Sequence, residues 1–498
     1  MSVSSIGGQS GLAIQQLINM RSQFDDLQRQ LSSGLKSETY AGLGVNRGLT
    51  VSLRAQLSSI GGYQDTIINV TTRINLMTTA LGRMSEIGSA IKAAAGLSGA
   101  TGSTPGSVQQ TAQISLDEML GLLNTQAGDR YLFSGSATDR TAVASMDHIL
   151  NGNGARAGLK QLIDERNQAD LGADGLGRLS VSAPSATSVS LAEDAAGSPF
   201  GLKLASASAS LTNGTVAGPS GSPPALSVDF SGVPNVGDSV TLRFDLPDGT
   251  SENLTLTATA DSPPGPNQFT VGATAAATAA NLQTALTSAI GKLAGGPLSA
   301  ASAVAASNQF FDADVNNPPL RVAGPPFDTA TGFTAGSAGD TVIWYTGEAG
   351  AGSARATATA RIDQSLAVSY GVRANETGIR NLVQNIATLA AVTIPAGDAN
   401  AAAKSTALNQ RLSTNLSNGS GGQSAADIVT ELATSANAMS SARNRHQQTN
   451  ATLNEFLQEL QGVTPEQVGA QILALQTRMQ ATMQTTAMLF QTSLVNYL

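Results

Sequence analysis

The sequence predicts an α+β multidomain protein: a coiled-coil helical stem formed by both termini, with inserted β-rich outer domain(s). Three observations predict it. Apolar residues recur in steps of three and four at both ends of the chain. The middle, roughly 181–354, turns instead to short alternating runs between Gly, Ser and Pro clusters. That middle also holds 13 Asp/Glu against 4 Lys/Arg, a net charge of −9 in a chain of net charge −8, so the helical ends are near neutral. At 498 residues the chain exceeds one core, because domains typically run about 100–200 residues.

The first seam is Leu17, Met20, Phe24, Leu27, Leu31. Gly34 stops it, and a loop is expected through Tyr40–Gly44. A second seam runs Leu53, Leu57, Ile60, Gln64, Ile67, Val70, Ile74, Met77, Leu81, Met84, Gly88, Ile91. Its step of three after Ile67 breaks the alternation, so the supercoil must adjust there. The Gly/Ser/Thr/Pro stretch 96–107 is expected to end this helix. A third helix is expected over about 108–127, with Ile114, Leu116, Met119, Leu120 and Leu123 apolar. It delivers the chain to Gly128-Asp129-Arg130-Tyr131-Leu132-Phe133-Ser134-Gly135. This corner places two aromatics and a leucine between glycines in a chain with only 12 Phe, 6 Tyr and 1 Trp.

The other end mirrors this. Ala425, Ile428, Leu432, Ser435, Met439, Ala442, His446, Thr449, Leu453, Phe456 and Leu460 alternate in threes and fours. Thr464-Pro465-Glu466-Gln467 then reads as a helix start: an N-cap, a proline at the first helical position and a capping-box glutamine. The last seam is Val468, Ile472, Leu475, Met479, Met483, Ala487, Phe490, Leu494, Tyr497. Isolated helices are marginal without packing, and these seams mix Gln, Ser, Thr and Ala with the Leu. The terminal helices are therefore expected to order against neighbouring subunits, the alternative being a helical bundle formed within the single chain.

In the middle, Ser239–Phe244 and Glu252–Thr257 read as strands of a hairpin around Pro247-Asp248-Gly249. Gln268–Val271 and Asp340–Tyr345 read as strands, and Thr278–Leu293 as an Ala-rich helix. Arg355–Asp363 alternates like a returning strand, and Gly378–Val392 resumes helical spacing. An acidic, polar insert is expected to be solvated, with the near-neutral helices packed inside.

Composition excludes several functions. There is no cysteine, so no disulfide, thiolate metal site or cysteine nucleophile is possible. The net negative charge offers no nucleic-acid footprint. No apolar run approaches the ~18 residues of a membrane span, and the N-terminus lacks the basic-then-apolar plan of a cleaved signal. Five local features carry no site. His446 lies on a helical seam with no second ligand on its face, so it reads as a packed histidine. His148 beside Asp147 is no metal site. Gly172–Gly177 lacks the preceding strand and following helix of a phosphate loop. Asp312 and Asp314 read as a solvated loop. Asn-x-Ser/Thr triplets such as the one at Asn253 are expected by chance. No catalytic constellation, cofactor site or metal site is predicted, and the protein is expected not to be an enzyme.

With the corner in place, the chain resembles the flagellin superfamily, and within it the hook–filament junction proteins. That family carries a Gly-Arg-Tyr-Leu-Phe-Ala/Ser-Gly motif after its third N-terminal helix; here Asp129 is inserted after Gly128. Leu31-Ser32-Ser33-Gly34 is shared with flagellins generally, and Leu489–Leu498 resembles the junction proteins' ending. Ser369–Val392 looks like the return segment of some members. The resemblance covers about 1–180 and 360–498; the 181–354 insert matches only by position. The acidic segment that follows Leu-Ser-Ser-Gly in filament flagellins is replaced by Leu35–Gly44, and the filament flagellins' ending is absent. Both departures favour the junction type.

The resemblance implies three parts. Residues 1–45 with 464–498 form a terminal coiled-coil inner-tube domain. Residues 46–180 with 355–463 form a helical stem with a β-hairpin, and 181–354 the acidic outer insert. It implies an assembly interface at Leu17, Met20, Phe24, Leu27, Leu31, Ile472, Leu475, Met479, Phe490 and Leu494. It implies a structural corner at Gly128, Arg130, Tyr131, Leu132, Phe133 and Gly135, with Tyr131 and Phe133 plugging a helix–hairpin seam. Implied partners are further copies, other junction, hook and filament subunits, and an export chaperone, with no nucleic acid and no membrane insertion. The implied location is the extracellular flagellum, reached without a cleaved signal peptide. The filament flagellin itself is the alternative, and an adhesin or glycan-binding module in the insert a third reading.

Overall fold

The computed structural model describes residues 3–101, 105–395, 397–418 and 422–495. In chain order the elements begin with α1 (Val3–Ser33), a 3-10 turn at Tyr40–Asn46, α2 (Arg47–Thr101) and α3 (Pro105–Leu123). The small hairpin β1 (Gln126–Ala127) and β2 (Arg130–Tyr131) follows, then α4 (Met146–Asn151) and α5 (Leu159–Leu171). Next come β3 (Leu179–Ser185), β4 (Ser188–Glu193), β5 (Lys203–Ser210), β6 (Gly214–Ser220) and β7 (Ala225–Phe230). After these stand β8 (Ser239–Asp245), β9 (Ser251–Thr259), β10 (Gln268–Thr270), α6 (Ala275–Leu293) and α7 (Ser299–Asp312). Short strands β11 (Arg321–Val322), β12 (Phe333–Thr334), β13 (Thr359–Arg361) and β14 (Ala367–Ser369) lead to α8 (Thr377–Ala391) and α9 (Ala401–Asn418). The chain closes with α10 (Ala425–Gln461) and α11 (Pro465–Val495). The fold is mixed α+β, with long helices at both ends and a β-rich middle.

Two compact units divide the chain. The terminal unit comprises Met1–Val70, Ala360–Val368 and Asn437–Leu498; the central unit comprises Thr71–Thr359 and Ser369–Ala436. Neither coincides with residues 181–354.

In the terminal unit α2 and α10 run antiparallel. Leu53, Ile60 and Leu453 are buried together, with Leu57, Leu457 and Leu460 against them. The seam read from the sequence needs one correction here. Phe456 is 51% exposed, and Leu457 takes its place in the core. A step of four from Leu453 keeps the smaller side chain inside. His446 is buried, its Nε2 lies 2.7 Å from the Ile362 carbonyl oxygen, and its ring stacks on Tyr63 at 5.8 Å. The seam histidine thus packs and hydrogen-bonds, in agreement with the sequence reading. Gln64, the polar residue in the α2 seam, accepts from Asn450 Nδ2 at 3.5 Å.

In the central unit the second seam continues with Ile74, Met77, Leu81, Met84 and Ile91 all buried. Gly88 sits on it because a Cβ there would come within 2.8 Å of Leu382. The helix does not break at Gly96: α2 continues to Thr101, and residues 102–104 lie outside the described ones. The next helix ends at Leu123, earlier than its pattern suggests. Leu116, Met119, Leu120 and Leu123 are buried, but Ile114 is 65% exposed.

Two four-stranded sheets fill the middle, ordered β3-β4-β7-β6 and β10-β9-β8-β5. The β8–β9 hairpin is antiparallel, pairing Ser239 with Thr257 and Asp245 with Ser251, as its alternation predicts. Inward residues of both sheets, among them Leu191, Val228, Leu242, Phe244 and Leu256, form one core with Leu282, Leu286 and Ile290 of α6.

Three expectations for this region are overturned. Residues 340–345 form no strand; they touch neighbouring loops at isolated bridges, Thr341 with Ala157 and Tyr345 with Val143. Trp344 there is fully buried, and its Nε1 donates to the Phe311 carbonyl at 2.9 Å. Residues 355–363 give a 3-10 turn and only the three-residue β13. Helix α7 has no counterpart in the sequence reading. Every residue of Ser299–Ser307 is buried, and α7 packs against α5, α8 and α9. Part of the acidic middle is therefore core. Among its anchors is Asp170, fully buried, which accepts from Arg166 Nε at 2.7 Å, Ser302 Oγ at 2.7 Å and the Gly201 amide at 2.8 Å.

Candidate assembly surface and corner

The terminal unit turns twice at one place. Gly34 ends α1 with φ +66°, a conformation glycine adopts without penalty. The strand-like residues after it meet the link between α10 and α11: Lys36 N donates to Gln461 O at 2.7 Å and Val463 N to Gly34 O at 3.0 Å. The Lys36 ammonium lies 3.0 Å from the carbonyl oxygens of Glu459 and Leu460, the unpaired last-turn carbonyls of α10, where a cation also meets the negative end of the helix dipole. Thr464 Oγ1 then accepts from the Gln467 amide at 3.4 Å, and Pro465 opens α11. The N-cap reading of Thr464 holds.

From this shared base α1 and α11 run back antiparallel and pack on each other. Leu17, Met20, Phe24 and Leu27 are half-buried, as are Ile472 and Met479, and Leu475 is buried. Leu31 is 45% exposed. The side chains of Phe490 and Leu494 lie outside the described ones. Other apolar side chains on the two helices stay in solvent, notably Leu12, Ile18, Leu473, Met483 and Met488. The pair thus covers one stripe of each helix and leaves further apolar surface open, an arrangement that favours contact with more copies or partners.

The corner lies in the central unit. Ala127 pairs with Arg130 across the turn Gly128-Asp129, and Gly128 has φ +66°. A glycine at the first central position suits a type II′ two-residue hairpin, and the additional Asp129 is its second central residue. Arg130 is exposed, Tyr131 half-buried, Leu132 buried and Phe133 completely buried. The aromatic that fills the interior is therefore Phe133, with Leu132 rather than Tyr131 beside it. The backbone runs on as a bonded strip. Phe133 O accepts from Ala374 N at 2.8 Å, Gly135 N donates to Val372 O at 3.2 Å, and Ser134 O accepts from Glu348 N at 3.0 Å. Gly135 has φ +68°, and a Cβ there would stand 2.8 Å from Glu348 Oε2.

Three residues of this site were not picked out in the sequence. Asn124 orders the turn after the corner, accepting from the Ala142 and Val143 amides at 2.9 and 3.1 Å. Arg373 donates to the carbonyls of Gly350 and Gly352. Glu348 accepts from the Ser136 amide at 2.9 Å. Each acts on backbone groups, and hydropathy patterns do not register such contacts. That amide bond, reinforced by the Ser136 side chain and nearby Arg373, holds the Glu348 carboxyl below the usual glutamate range. A lowered value means stability that is complete above the unfolded glutamate pKa and is lost as pH falls through the folded one. We expect the unfolding midpoint to fall between about pH 5 and pH 3. Glu348→Gln should flatten that slope in thermal scans; an unchanged slope would show that the bond does not matter.

The chain is thus a mixed α+β protein whose terminal helices pair and leave further apolar surface exposed. Residues 10–138 match the family described as the bacterial flagellin N-terminal helical region. The match runs from α1 through the corner and stops before the two large sheets. Comparison with curated proteins found no match. The match supports a place in the flagellin superfamily, whose members are structural proteins that self-assemble into flagellar polymers. No described helix is long and apolar enough to cross a membrane. No cluster of three or more potential metal ligands occurs among the described residues.

Proposed function

We propose that this chain is a structural subunit of the bacterial flagellum that joins hook to filament and assembles through its terminal helices. The observation that carries the reading is the open apolar surface along α1 and α11, in a chain whose N-terminal region matches flagellin. The replacement of the filament flagellins' acidic segment by Leu35–Gly44 favours the junction role. The exposed side chains Leu12, Ile18, Leu31, Leu473 and Met483 form the subunit interface, over the seam of Leu17, Met20, Phe24, Leu27, Ile472, Leu475 and Met479 that pairs α1 with α11 in the single chain, and the exposed acidic residues of 181–354 face outward. The partners are further copies, neighbouring junction, hook and filament subunits, and a chaperone that holds the C-terminal helix before export. The subunit functions outside the cell. The second reading is the main filament subunit; the match to the flagellin N-terminal helical region supports both roles alike.

Electron microscopy of the purified chain, with and without hook or filament seeds, separates the two. The junction reading expects a soluble monomer that adds to a seed end and then stops. Long filaments grown by the chain alone would transfer the protein to the filament role.

A further inference from the structure

The central unit holds a cleft of about 710 Å³ between the β8–β9 turn and helices α7, α8 and α9. Its charged groups are already paired. Arg411, 9% exposed, donates through Nε to Asp248 Oδ2 at 2.9 Å and through Nη2 to Glu252 Oε1 at 3.2 Å. Arg380 Nη1 lies 2.8 Å from Asp312 Oδ1. Two guanidiniums face three carboxylates, a net charge of −1 with each group already held by a partner, so the cleft offers little to a phosphate or a carboxylate.

What remains is a set of carboxamides. Gln384 donates to Asn308 Oδ1, which leaves Gln384 Oε1 and Asn308 Nδ2 for other partners. Asn415 Nδ2 donates to Asn385 Oδ1 at 3.3 Å, which leaves Asn415 Oδ1. Gln410 is exposed and lines the same wall. A carboxamide presents a donor and an acceptor side by side, and adjacent hydroxyls of a sugar need both. The Arg411 clamp joins the hairpin turn to α9, so the walls are set before anything binds.

We propose that this cleft binds a short neutral carbohydrate through its carboxamides. The proposal does not depend on the assembly role. It is tested on the full chain by saturation-transfer NMR and calorimetry with maltotriose, cellotriose and N,N′,N″-triacetylchitotriose, and with trigalacturonate as the acidic counterpart. Saturable binding of at least one neutral trisaccharide is expected. The exposed pair Gln410→Ala/Asn415→Ala should weaken it roughly tenfold, the loss of about two neutral hydrogen bonds, with a lower thermal midpoint from the lost Asn415–Asn385 bond, and Gln410→Ala alone should weaken it by less without that fall. No binding at millimolar sugar, equal binding by the double variant, or preference for trigalacturonate would each overturn the proposal.

Discussion

Replacing Phe133 with alanine is expected to give the largest loss of stability of any single substitution at the corner. Its ring is fully buried, and its own carbonyl accepts from Ala374 at 2.8 Å, so the backbone on either side cannot easily collapse into the space left. Truncating a buried Phe costs about 3–5 kcal/mol when the site relaxes only partly. Whole domains are stable by only about 5–15 kcal/mol, so much of the margin goes. The single tryptophan provides the readout: Trp344 is completely buried in the same unit, packed at 5.1 Å from Phe311. Urea titration followed by its fluorescence should show a clearly lower midpoint for Phe133→Ala and a smaller shift for Tyr131→Ala, which is half-buried. Arg130→Ala should change the value by no more than about 0.5 kcal/mol, as for an ordinary surface site. If Phe133→Ala unfolded at the Arg130→Ala midpoint, the ring would not be the plug of this corner.

The same corner shows what could be read in advance and what could not. Large side chains at helical steps were legible because a seam needs volume at fixed intervals, and Ile74 to Ile91 occupy the interior as their spacing says. Phe133 was visible because aromatics are rare in this chain. Helix α7 was not, since Ser299–Ser307 consists of Ala, Ser and Val and is buried all round, leaving no polar face to mark a period. Phe456 misled because it fits a step of three as well as Leu457 fits a step of four, and only the width of the α2–α10 seam chooses between them. The stretch 340–345 alternates like a strand, yet its neighbours are loops. No sheet edge is available there, and the tryptophan anchors it instead. Arg373 and Glu348 escaped because they bind backbone brought from far away in the chain.

Deleting Gln476–Leu498 is expected to abolish assembly while leaving the central unit folded. Among the described side chains of the removed part of α11, Met479 is half-buried, whereas Met483 and Met488 are 51% and 64% exposed. The residues that hold α11 to its base, Val468 and Leu475, are buried and remain. Leu27 flanks Leu475 near that base, so the antiparallel pair should persist there while the earlier part of α1 loses its partner. Helical circular dichroism should fall, and the Trp344 unfolding midpoint should stay where it is. The apolar surface lost to partners is a different matter. Fully burying a methionine or leucine stabilises by about 1.5–3 kcal/mol, and the exposed side chains of this helix would supply several such terms to each subunit contact. Ordering a helix against a neighbour costs conformational entropy, and without those terms nothing offsets it. The truncated chain should therefore remain monomeric in the presence of hook or filament ends, as seen by sedimentation and electron microscopy. Addition to seed ends at the rate of the full chain would remove α11 from the interface and with it the proposed mode of assembly.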